Sequence, residues 1–133
     1  MRSQRSPKTK EPSSPIQSSF AVPLNQRRRY LRLVCDAIAK EFHPEKIVLF
    51  GSYAYGKPHE DSDVDLLVVM PFEGSPFRQA AVILSHVVRT VGVLPMDLLV
   101  RTAEQVKERV QIGDAFMREI VERGKVLYEG DHG

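Results

Sequence analysis

Gly51 and Ser52 are followed by ten residues, Tyr53 to Ser62, and then by Asp63-Val64-Asp65, which runs into Leu66-Leu67-Val68-Val69-Met70. A small-residue turn closing one apolar run thus precedes two alternating carboxylates at the head of the next. Gly51 has no side chain, so a phosphate oxygen could approach its backbone closely. Ser52 offers a hydroxyl and an amide at the start of a helical turn, where free N–H groups favour an anion. Residues i and i+2 of a strand project to one face, about 6.6 Å apart along the chain. Asp63 and Asp65 could therefore converge on one or two Mg²⁺ ions, which prefer hard oxygen ligands. Asp97 is the lone acid of a third apolar run and, like Asp65, is followed by Leu-Leu-Val. If the two runs are neighbouring strands, Asp97 can face the same pocket.

Three gathered carboxylates repel one another unless a cation sits among them, and an acid in an apolar strand is costly without a partner. Singly, each has an ordinary alternative: Asp63 as loop surface, Asp65 as a turn cap, Asp97 as an ion-pair member. Together with Gly51-Ser52 they point to a phosphate cradle beside a metal site. Asp61 continues the alternation but follows Glu60 ahead of the apolar run, and reads as a solvated loop acid. Lys57 and His59 could reach a phosphate, although charged loop residues usually face water. Tyr53 and Tyr55 could stack on a base or simply pack the helical turn.

The elements that must position these residues are marked by their punctuation. Pro23-Leu24-Asn25 opens a helix to about Phe42, with Leu31, Val34, Cys35, Ile38 and Phe42 at helical spacing. His43-Pro44 stops it, because the residue before proline avoids the helical region. Lys46 to Phe50 reads as a buried strand ending at Gly51, Ser52 to Tyr55 as one helical turn closed by Gly56, and Lys57 to Ser62 as a charged loop. Val64 to Met70 is apolar on both faces, as a central strand should be. Pro76 to Val91 predicts a helix with Phe77, Ala80, Ala81, Leu84, Val87, Val88 and Val91 as its core stripe. Val82 and His86 fall opposite, so His86 is expected at the surface. Pro95 to Val100 is the third strand. Thr102-Ala103-Glu104-Gln105 has the form of a capping box, starting a helix that ends near Gly113. Asp114 caps a short helix with Phe116 and Ile120 inward, Gly124 stops it, and Lys125 to Glu129 is a final strand. There are no internal repeats. The order predicts an α/β (α+β) fold, a small mixed sheet flanked by helices.

The 133 residues suit one domain, assigned to 23–130, behind a Ser/Pro-rich segment at 1–22 expected to be disordered. That segment holds Arg2, Arg5, Lys8 and Lys10 against Glu11, so the basic excess of the chain sits there and the remainder is near neutral. It reads as a solvated extension, and nucleic acid is not expected as a partner. No apolar run approaches the roughly 20 residues needed to span a bilayer, and no hydrophobic segment follows the N-terminal charges. The single Cys35 excludes an intramolecular disulfide and fits a cytoplasmic location. On its helical stripe, Cys35 reads as a buried structural thiol.

The combination Gly51-Ser52, Asp63-Val64-Asp65 and Asp97 resembles the motif of the DNA polymerase β-like nucleotidyltransferases. The short length and the ending from Phe116-Met117-Arg118-Glu119-Ile120 through Gly124 to Glu129 resemble the minimal nucleotidyltransferase (MNT) group, over roughly Leu24 to Glu129. The resemblance implies a polymerase β-like nucleotidyltransferase fold in which Asp63 and Asp65 bind two Mg²⁺. Asp97 would complete the site of the metal that activates an acceptor hydroxyl, for in-line displacement at an α-phosphate. Gly51 and Ser52 would hold the β- and γ-phosphates of the nucleotide, expected to be ATP. Family members often carry Arg one or three residues after the Gly-Ser pair, where Tyr53 and Tyr55 stand here, leaving the triphosphate one guanidinium short. Larger relatives carry an additional helical substrate domain that this sequence lacks. MNT proteins resemble antitoxins paired with a helical HEPN toxin, and some transfer AMP to a tyrosine of that partner. The implied function is therefore a type VII-like antitoxin that adenylylates a cognate HEPN-type protein. Two alternatives stand beside it: an antitoxin acting by binding alone, and a small-molecule nucleotidyltransferase whose substrate site is built by homo- or hetero-oligomerisation.

Overall fold

The computed structural model describes residues 23–59, 62–93 and 95–130; the basic segment 1–22 and Asp61 lie outside them. A 3-10 turn at Leu24–Gln26 leads into α1 (Arg27–Phe42), whose stripe Leu31, Val34, Cys35 and Ile38 is buried. His43 leaves the helix in the left-handed region at φ 51°, with its amide still donating to the Ala39 carbonyl. β1 (Lys46–Phe50), the single turn α2 (Ser52–Tyr55) and β2 (Val64–Val69) follow. Ser75 accepts from the amides of Phe77 and Arg78 to cap α3 (Pro76–Thr90), with Pro76 in its first turn. After β3 (Met96–Arg101), Thr102 and Gln105 form the expected capping box of α4 (Ala103–Gln111), at 3.1 and 3.0 Å. Asp114 accepts from the Met117 amide to cap α5 (Ala115–Arg123), and β4 (Lys125–Glu129) ends the order.

The strands form one mixed sheet in the order β3-β2-β1-β4, matching the α/β arrangement expected. β1 runs antiparallel to β2 and β4, whereas β2 and β3 are parallel, so α3 serves as their crossover. Period-two alternation sorts the core into two layers. Ile47, Leu49, Leu66, Val68 and Val100 face α1 and α3; Val48, Phe50, Leu67 and Val69 face α4 and α5. Each such side chain, fully buried, stabilises the fold by roughly 1.5–3 kcal/mol. Burial first, and Asp36 second, push the Cys35 thiol up to about 12, so it is an unreactive core group. Among the described residues no helix is long and apolar enough to cross a membrane.

Several side chains sit otherwise than the sequence suggested. In α3 the sheet covers Ile83 and Val87, while Phe77 is 86% exposed and Val88 47% exposed. The apolar arc of that helix is wider than the surface available to cover it. His86 is half-buried and packs edge-on against Phe42 at 5.6 Å, because α1 lies on that flank. In α5 Met117 takes the inward position with Ile120, turning Phe116 to the rim, where it meets Phe50 edge-on at 5.7 Å.

Candidate active site

The parallel register pairs Asp65 directly with Asp97, and the antiparallel register pairs Phe50 with Asp65. The two acids therefore stand side by side, on strands about 4.8 Å apart, on the sheet face that α4 and α5 cover. Asp63 lies two residues ahead of Asp65 and is exposed, as is Asp97; Asp65 is half-buried. The Asp65 carboxyl is pushed up to about 6, by burial first, then by the charges of Asp97 and Asp63, and by a hydrogen bond with Asp97. Among the described residues no Lys or Arg forms an ion pair with any of the three.

Gly51 turns the chain out of β1 at φ 74°, a region favouring glycine. The position of an added Cβ is already taken by the Asp65 carboxylate. Glycine is thus required twice, by its dihedral and by the acid that fills the space a side chain would need. The Gly51 carbonyl accepts from the amides of Ala54 and Tyr55, each at 3.0 Å, which makes Ser52 the first residue of α2.

The loop before Asp63 is fixed by a residue the sequence did not single out. Arg27, 4% exposed, donates to Tyr53 Oη at 2.9 Å and to the Ser62 carbonyl at 3.1 Å. It ties the first turn of α1 to α2 and to the residue immediately before Asp63. Ser62 in turn accepts the His59 amide through Oγ at 2.9 Å. Nothing local in the sequence distinguishes Arg27 from the arginines beside it. Tyr55 also meets an arginine: the Arg123 guanidinium lies 4.5 Å above its ring centroid. Both tyrosines of α2 thus contact arginines contributed by other helices. Lys57 and His59 are exposed.

A cleft of about 610 Å³ brings Gly51, Asp65 and Asp97 together, whereas Ser52 and Asp63 are not part of its lining. Those three line it together with the apolar and aromatic side chains of Phe50, Tyr55, Phe77, Leu98 and Phe116. A separate apolar groove of about 530 Å³, lined by Val48, Leu67 and Val69 among others, includes none of the three aspartates. The donor set around Asp65 is all carboxylate oxygen, which suits a hard divalent cation. Among the described residues no three His, Cys, Asp or Glu side chains close into a ready-made ligand set; Asp65 and Asp97 meet each other instead. A carboxyl held above its ordinary range beside like charges marks a place where a cation would be stabilising.

The family model of the nucleotidyltransferase domain matches residues 31–127 of the chain. A Methanocaldococcus jannaschii protein, provisionally named a protein adenylyltransferase, is 32% identical over 84 residues, spanning 63% of this chain and 78% of that one. The crystal structure of a provisionally named nucleotidyltransferase from Sulfolobus solfataricus superposes with a TM-score of 0.54 at 22% identity, over 92% of this chain and 94% of that one. At that identity the likeness concerns the fold.

Proposed function

This chain belongs to the nucleotidyltransferase domain family, and on that premise we propose that it transfers AMP from ATP, with Mg²⁺, to a hydroxyl of another protein. The observation that carries the reading is the Asp65–Asp97 register beside Gly51, which gathers carboxylates around an open cleft. The similarity to a protein named as an adenylyltransferase favours a protein acceptor. The Gly51-Ser52 end would receive the β- and γ-phosphates. Asp63, Asp65 and Asp97 would hold the metal; when bound, divalent ions screen the carboxylates and neutralise charge on the attacking and leaving oxygens. The acceptor oxygen attacks the α-phosphorus, the bond to the β-phosphate breaks, pyrophosphate leaves, and the hydroxyl proton passes to the Asp97 carboxylate or to water. Arg27 keeps the Asp63 loop in place during this exchange.

The acceptor we favour is a tyrosine of a cognate HEPN-type helical toxin in the cytoplasm, with this chain as its antitoxin. That choice rests on the resemblance to the MNT group. The test is to incubate the protein with α-labelled ATP, Mg²⁺ and a HEPN-type protein encoded beside it. Label should appear on the partner with wild type and be absent with Asp97→Asn. An unlabelled partner in an intact complex would mean inhibition by binding alone.

A further inference from the structure

α3 carries two apolar stripes, and the fold covers one of them. Ile83 and Val87 are buried, whereas Phe77, Ala81 and Val88 lie exposed along a second stripe roughly 100° around the helix, with Leu84 at the boundary. His86 against Phe42 marks the flank toward α1. Phe77 shares the catalytic cleft with Asp97 and Leu98, so the exposed stripe occupies the other flank, beside the outer edge of β3. We infer that this stripe of α3 docks the acceptor protein, through an apolar helix edged with carboxylates; the inference rests on the reading of the chain as a protein-modifying transferase.

Contiguous exposed apolar side chains at helical spacing suit a partner helix. At Phe77 the stripe runs into the cleft, so a protein seated on it brings its hydroxyl groups beside Asp97. Charge selects among occupants. α3 contains Arg78 and Arg89 and no acidic residue, and a depression lined by both arginines flanks Ala81. Among the described residues neither arginine meets a carboxylate; Arg89 donates to Ser85 Oγ at 3.3 Å. A second copy laid antiparallel on the stripe would set Arg78 against Arg89, and the 1–22 segment is itself basic. An acidic partner is favoured over both.

The test uses the full chain and two synthetic amphipathic helices of roughly 20 residues, leucine-striped, one flanked by glutamates and one by lysines. The glutamate peptide should bind at least about tenfold more tightly, and Phe77→Ser or Val88→Glu should each weaken it about tenfold without lowering Tm. Equal binding of the two peptides, or unchanged affinity in both variants, would overturn the assignment. So would sedimentation as a dimer that Val88→Glu splits, since a second copy would then cover the stripe. Binding is read without turnover, so Asp97→Asn should bind like wild type. Loss of transfer with peptide binding intact sinks the catalytic reading and not this one.

Discussion

Gly51 and Asp65 are fitted to each other at the atomic level: the carboxylate occupies the volume that any larger residue would claim. Gly51→Ala must relieve both the clash and a positive φ, so it should cost about 1–3 kcal/mol in denaturant unfolding and displace Asp65. Transfer activity should fall at least about a hundredfold, a loss read by kcat/KM. Asp65 also makes stability depend on pH. Its carboxyl is raised from 3.8 to about 6, so the folded chain binds this proton more tightly than the unfolded chain. The contribution is present below the unfolded value and is lost as pH rises through about 6. Without divalent ions, Tm should therefore carry a falling component between those limits. Asp97→Asn removes one like charge, so at neutral pH this variant should melt at or above the wild-type temperature while losing transfer. Marked unfolding of Asp97→Asn would count against a metal-site role.

Among the elements, α1 reaches furthest from its own neighbourhood. Arg27→Met would leave the Ser62 carbonyl and Tyr53 hydroxyl without this donor, at about 1.5–3 kcal/mol. With the loop before Asp63 loosened, KM for the metal–nucleotide complex should rise, which steady-state kinetics would resolve. Nothing in the sequence indicated Arg27, because its partners are distant in the chain. What was legible is local: His43-Pro44, Gly51, Gly56, the Thr102–Gln105 box and Asp114 each mark an end that the structure retains. Strands announced themselves as short continuous apolar runs, although β3 ends one residue later than expected. The covered side of α3 was not legible, since the sheet and α1 decide it after the helix exists. Phe116 was misplaced for the same reason; its neighbour Met117 fits the sheet. Asp97 beside Asp65 depended on β2 and β3 being neighbours, and the shared Asp-Leu-Leu-Val pattern coincides with their register. At the opposite edge, the register of β4 shifts between Ile47 and Val48, a bulge that makes this edge a poor template for another strand.

For the molecule as a whole, the carboxylate face is where folding and ligand binding should be coupled. A cation that binds only the folded arrangement raises stability by mass action. Millimolar Mg²⁺ should therefore raise Tm of the wild-type chain, a chelator should reverse the rise, and Asp97→Asn should respond far less. A flat wild-type response would remove the metal from the mechanism. The parallel pairing of β2 with β3 adds a kinetic consequence. Asp65 and Asp97 meet only once the α3 crossover has folded between them, and such non-local parallel contacts are slow to form. Interactions made after the transition state act chiefly on the unfolding rate. Mg²⁺ should then slow unfolding in stopped-flow experiments while leaving refolding nearly unchanged, so that occupancy of the cleft sets how long each folded molecule lasts.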